Sequence, residues 1–149
     1  MANAASVTLS ATVLPDSIAK TIAGTMTLSP ADANHKWYYK QTSVSNGSTD
    51  LIAGYWLDYL AIDDDTLPIP ITTTDTVAFL FIKNTDPSNS VYLNIAAGTA
   101  AAAAGNIYVG PGESWYVRLG LTLVGSVHAI SSASTIDCIV AALIDDTSV

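Results

Sequence analysis

Polar and apolar residues alternate with a period of two along much of this chain, the spacing that sends successive side chains to opposite faces of a β-strand. Residues 5 to 14 set Val7, Leu9, Ala11 and Val13 against Ser6, Thr8, Ser10 and Thr12, which predicts a half-buried strand. Beyond a turn at Pro15-Asp16, the residues Ile18, Ile22, Gly24, Met26 and Leu28 alternate with Thr21, Ala23, Thr25 and Thr27. This second strand is suited to pair with the first as a hairpin. The stretch SPADANHK, residues 29 to 36, holds a Ser, a Pro and an Asp and reads equally as one capped helical turn or as a loop.

WYYKQTSV and LIAGYWLDYLAI read as two aromatic-rich strands joined at Asn46-Gly47, a dipeptide that tolerates positive φ. Asp63, Asp64 and Asp65 followed by TLPIP close that unit, because two prolines so close together do not fit a central strand. VAFLFIKN, SVYLNIAA, IYVG, SWYVRLG, SVHAISS and TIDCIVAALI follow as short β-rich runs, parted by Asp86-Pro87-Ser88-Asn89, an Ala/Gly segment and Gly110-Pro111-Gly112-Glu113. The Ala/Gly segment, Ala96 to Gly105, is too short for a stable isolated helix and reads as a loop. The whole predicts an all-β protein: an antiparallel β-sandwich, jelly-roll-like or immunoglobulin-like, spanning 15–149, with residues 1–14 as an extended N-terminal arm or edge strand.

Composition adds a constraint. Half of the 149 residues are apolar and 12% are charged, against about a quarter charged in an ordinary soluble domain. A monomer's surface is hard to cover with so little charge, so part of it is expected to lie against something. No uncharged apolar run reaches the roughly 18 residues that cross a bilayer, so protein neighbours are the expected cover and a membrane is not. MANAASVTLS lacks the basic start and apolar stretch of a secretory signal, which points to synthesis in the cytoplasm of the producing cell. Net charge is −8 and the five basic residues are scattered singly, so nucleic acid is not an expected partner. The one cysteine, Cys138, lies in an apolar strand pattern and is expected to be buried.

Candidate chemistry is sparse. Gly112-Glu113-Ser114-Trp115-Tyr116 holds half of a nucleophile elbow, but Tyr116 replaces the second glycine. The histidines are His35 and His128, and His128 sits within a strand pattern. Asp63, Asp64 and Asp65, near Asp58, offer oxygens to a cation without the spacing of a calcium loop, and read as a solvated acidic loop. Glu113 is the single glutamate and falls in a turn, which leaves no pair of the glycosidase kind. Asn46-Gly47-Ser48 matches a glycosylation sequon and reads as a turn. No catalytic residue, metal or cofactor is expected. The aromatic clusters at Trp37-Tyr38-Tyr39, Tyr55-Trp56 with Tyr59, and Trp115-Tyr116 carry more information. Neighbours in a strand face opposite ways, so each cluster turns at least one large ring away from the core, toward a sugar or a protein interface.

LFIKN with SVYLNIAAG, IYVGPGESWYVRL, VHAISSAST and TIDCIVAALI resembles a style found in small structural proteins of tailed bacteriophages, over about residues 77 to 144. The resemblance implies a β-sandwich virion component such as a capsid decoration (cement) protein. Such a protein sits on the outer capsid surface and contacts the major capsid protein and other copies of itself, as a trimer or dimer. An acidic exterior suits that place. A head-fibre or tail module that binds a receptor or carbohydrate is the other reading it leaves open. The interface residues expected on these grounds are Val7, Leu9 and Val13 in the arm and Trp37, Trp56 and Trp115 among the aromatics.

Overall fold

The computed structural model describes residues 4–13, 20–32, 34–54, 71–96 and 107–147, except the side chains of 12, 13, 20–22 and 121. Two compact units divide the chain, Met1–Ala33 and Asn34–Val149. The sequence put the boundary after residue 14. It falls later because β1 (Ala5–Val13) and β2 (Lys20–Leu28) pair antiparallel over nine positions, from Ala5 opposite Leu28 to Val13 opposite Lys20. The first strand is thus one half of a hairpin and not a lone arm. Facing residues in this register share a face. Val7 stands opposite Met26 and Leu9 opposite Gly24 on the apolar side, while Thr8 faces Thr25 on the hydroxyl side with 3.5 Å between their Oγ1 atoms.

The second unit holds β3 (His35–Val44), β4 (Thr49–Asp50), β5 (Thr76–Asn84), β6 (Val91–Asn94), β7 (Ile107–Val109), β8 (Ser114–Leu123), β9 (His128–Ser131) and β10 (Ile136–Asp145). One four-stranded sheet runs in the order β3, β10, β5, β8 and the other β4, β9, β6, β7. The chain reaches this by folding as one long antiparallel hairpin, with β6 against β7 at its tip and β5 against β8, β4 against β9 and β3 against β10 behind it. Pairing of β10 with β5 and β9 with β6 then rolls the hairpin into two sheets. This order is the double Greek key of a jelly roll, and it decides between the two sandwiches that strand spacing left open.

A single apolar cluster fills the space between these sheets, with Tyr38, Leu80, Ile82, Val140 and Ile144 from one and Leu93, Val109 and Ala129 from the other. Cys138 lies within it, fully buried as its apolar surroundings in the sequence predict. A register shift in β5 alters the facing. Ile144 pairs with Val77 and Leu143 with Phe79, leaving Ala78 as an extra residue, so Val77 and Leu80 both reach the core although three positions apart.

Among the described residues the expected hairpin across Asn46-Gly47 is not formed. β3 pairs with β10 and β4 with β9, so the segment passes from one sheet to the other. Gly47 keeps a negative φ, and the bend is held by Ser45 and Thr49: the Gly47 amide donates to Ser45 Oγ at 3.1 Å and the Ser45 amide to Thr49 Oγ1 at 3.2 Å. Beyond it, Leu51 and Ile52 are buried. The rest of the aromatic run with Trp56, the Asp63 to Asp65 loop, the Pro15-Asp16 turn and most of the Ala/Gly segment lie outside the described residues.

Candidate interaction surfaces

A sandwich sheet ordinarily turns polar residues to solvent. The outward face of the β3, β10, β5, β8 sheet does not. Register sets Trp37, Leu143, Phe79 and Arg118 in one row across the four strands, and Tyr39, Ala141, Phe81 and Tyr116 in the next. None of these belongs to the apolar cluster between the sheets. The rings of Trp37 and Phe79 meet edge to face with centroids 6.3 Å apart, and Phe79 and Leu143 are each only 3% exposed. Tyr39, by contrast, is 48% exposed. A third row, Gln41, Ile139, Lys83 and Ser114, brings in polar groups, and beyond it Asp137 accepts from Gln41 Nε2 at 3.0 Å and Ser43 Oγ at 2.6 Å. Aromatic and aliphatic residues thus take seven of the eight places in two successive rows of a sheet's outer side, Arg118 the eighth, and Lys83 follows in the third row.

The other sheet's outer side is mixed. Ile130, Tyr92 and Tyr108 form one row and Asp50, His128 and Asn94 the neighbouring one. Tyr108 packs edge-on against Tyr92 at 5.5 Å, accepts from Ser90 Oγ at 2.9 Å and is 55% exposed. His128 Nδ1 lies 2.8 Å from Asp50 Oδ1 without forming a hydrogen bond to it. His35 stands 3.8 Å from Asp145 at the start of β3. Ser114 follows a turn and opens a strand, whereas a nucleophile elbow ends a strand and opens a helix. Its facing partner on β5 is Lys83.

Three of the sequence motifs converge on one knot of hydrogen bonds. Asn84 ends β5 on the core-facing side and is wholly buried. Its Nδ2 donates to the carbonyls of Asn89 at 2.7 Å and Gly110 at 3.0 Å, and its Oδ1 accepts from the Asp86 amide at 3.0 Å. Asp86 in turn accepts from the amides of Ser88 and Asn89, and these donors, Asn89 first, hold its carboxyl below the usual carboxylate range. Gly110 to Glu113 forms a type II turn: Pro111 fills the second position, Gly112 the third at φ 69°, and the Glu113 amide donates to the Gly110 carbonyl at 3.1 Å. The IKN strand end, the Asp-Pro-Ser-Asn turn and the Gly-Pro-Gly-Glu turn are therefore pieces of one scaffold. Sequence reasoning noted each piece and missed their convergence; the available signal was an Asn in the inward phase of an apolar strand.

The interface residues expected from sequence fall in different places. Trp37 lies on the outward face of the first sheet. Trp115 faces inward, opposite Ile82, and packs against the core. The alternation of β8 puts Tyr116, its neighbour, on the outside instead. Leu9 is 48% exposed and Val7 half-buried on the apolar side of the hairpin. Val13 ends β1, its side chain outside the description, and Trp56 lies beyond the described residues. No protein family, no curated protein and no solved structure matches this chain.

Proposed function

We propose that this chain is a non-enzymatic structural protein of a tailed-bacteriophage virion, a capsid decoration protein that binds the outer capsid surface and stabilises it through contacts with the major capsid protein and other copies of itself. The observation that carries this reading is the doubly apolar sheet. A jelly roll needs one apolar side per sheet to make its core, and the rows through Trp37 and Tyr39 supply a second, on which Phe79 and Leu143 are already covered within the chain and Tyr39, 48% exposed, stays open to a partner. Large aromatics at an interface contribute much of its binding energy. Two analogies add support: jelly rolls recur in viral capsid proteins, a likeness of fold alone, and the IKN and Gly-Pro-Gly motifs resemble those of phage structural proteins. The polar groups fit the same reading, since Asn84 and Asp86 serve to hold loops.

Quantitative mass spectrometry of virions that carry the chain tests this reading. Copies in proportion to the major capsid protein are expected; a few copies per particle mean a tail component, and none ends the reading. Within the capsid reading, Tyr39→Ser and Tyr39→Asp are expected to leave the β-type circular dichroism and melting temperature unchanged and to weaken capsid co-sedimentation at least tenfold.

A second reading is a receptor- or carbohydrate-binding module on a head fibre or tail. It is favoured by the exposed Tyr108 ring beside the Asp50, His128 and Asn94 row, an aromatic platform next to polar hydrogen-bonding groups. Calorimetric titration with host-surface glycans separates the two: saturable heat that is lost in Tyr108→Ala supports the module.

A further inference from the structure

We propose that the edge of β1 that no described strand covers pairs with β1 of a second copy across a twofold axis, joining two hairpins into one four-stranded antiparallel sheet in the order β2, β1, β1, β2. This deepens the reading above, on which the chain works against other copies of itself, and it selects a twofold over a threefold contact.

The edges of the molecule supply the argument. Exposed strand edges are ordinarily blunted by short length, by lysine, by proline or by a bulge. Among the described strands, β4 and β7 are edges of two and three residues. β3 carries Lys36 and Lys40, β8 carries Arg118 and Gly120, and β2 carries Lys20 and Gly24. β1 has none of these. It runs nine residues, ASVTLSATV, without charge, glycine or proline, and its register with β2 is continuous from end to end. β2 is its one strand neighbour among the described residues. A two-stranded ribbon is marginal in water, and a third and fourth strand are what such a ribbon lacks.

The strand's own pattern identifies the partner. Turned antiparallel about Leu9, β1 meets itself with Val7 opposite Ala11, Ala5 opposite Val13, Thr8 opposite Ser10 and Ser6 opposite Thr12. Every apolar residue meets an apolar one and every hydroxyl a hydroxyl, so the two β1 strands together keep one apolar and one hydroxyl face. The contact is isologous and closes after two copies, which avoids the open-ended growth of an unblunted edge. Leu9, 48% exposed in one copy, stands at the axis.

Like charges introduced on the hydroxyl side test the pairing in the full chain. Thr8→Lys with Ser10→Lys sets lysine opposite lysine across the axis, and Thr8→Glu with Ser10→Glu sets glutamate opposite glutamate. Sedimentation equilibrium is expected to give the unmodified chain an even number of copies, each double variant half that mass, and an equal mixture of the two variants the full mass again. A folded double variant that keeps full mass, a mixture that stays at half mass, or a monomeric unmodified chain overturns the proposal. Should either variant lose its β-type circular dichroism, Leu9→Cys in a Cys138→Ala background replaces it: mild oxidation is expected to yield a disulfide-linked dimer, since paired strands bring Cα atoms within disulfide range, and a monomer after oxidation overturns the pairing. Virion copy number is a separate readout, so failure of this edge and failure of the capsid reading are told apart.

Discussion

The carboxamide of Asn84 and the backbone carbonyl of Gly110 are joined by a buried hydrogen bond of 3.0 Å across 26 residues of chain, tying the end of β5 to the turn that leads from one sheet to the other. The same nitrogen also holds Asn89 and the same side chain's oxygen the Asp86 amide, so a single residue fixes both turns.

Asn84→Leu leaves two carbonyls and an amide without their partner inside the protein. At about 1 to 3 kcal/mol for each buried group so stranded, a loss of roughly 3 kcal/mol or more is expected in urea denaturation. Asn84→Asp keeps the shape and turns a carboxylate toward two carbonyl oxygens. Its penalty is expected to shrink as pH falls, because protonation restores one donor. Equal stability of Asn84→Asp at neutral and acid pH would count against the hydrogen-bond assignment.

Gly112 has φ 69° and nothing within 4 Å of the position a Cβ would take. Its substitution is a test of backbone conformation alone. Gly112→Ala is expected to cost about 1 to 2 kcal/mol, the left-handed penalty of an L-residue, and Gly112→Asn less, with no change in denaturant m-value. Thermal melts of the two variants decide it, and a smaller loss for Ala than for Asn would contradict the type II turn.

Burial pushes the Cys138 thiol from 9.0 up to about 12, with the carboxylates of Asp137 and Asp86 adding to the effect. The unfolded chain therefore gives up this proton first as pH rises. Stability is full below pH 9 and is expected to fall between 9 and 12 by up to about 1.4 kcal/mol per pH unit. Burial likewise raises the Tyr38 phenol, against the lowering pull of the Ala53 backbone and Thr42, so Cys138→Ala is expected to remove the decline near pH 9 and leave the part above 10. Thiol reagents are expected to label the native protein far more slowly than the denatured one.

Removing residues 1–33 is expected to leave a cooperative β transition, because every residue of the apolar cluster between the sheets comes from Tyr38 onward. Self-association is expected to be lost with the hairpin. Removing 1–14 alone takes β1 from β2, its one strand partner among the described residues, and is expected to leave a more aggregation-prone chain than the longer truncation. Circular dichroism melting and light scattering of both truncations measure this; loss of the transition on removing 1–33 would mean that the second unit depends on the first.

The sequence by itself determined the strands. Period-two alternation located β1 and β2, because one buried face per strand is written locally as every second residue, and β-rich runs parted by turn residues located the six strands from VAFLFIKN onward. The apolar run TIDCIVAALI likewise placed Cys138 in the core. Turn chemistry was legible at Gly110 to Glu113, where Pro111 and Gly112 each suit one backbone position. Tertiary structure alone decided which strands are neighbours. β3 meets β10 and β4 meets β9 across most of the chain's length, a choice made by the closing of two sheets over one core and not by any residue near Asn46-Gly47. It also decided which aromatic faces out. Ala78, an extra residue in β5, sets Val77 and Leu80 on one side and sends Phe79 to the other, so alternation counted along that strand alone does not give the face. Trp115 and Tyr116 were equivalent in the sequence, and only the pairing of Trp115 with Ile82 turned the tryptophan inward. Only the Asp86 amide, two residues on, is a local partner of the Asn84 side chain; its other partners lie 5 and 26 residues away, and a hydrogen bond between such distant groups is fixed by the fold that brings them together.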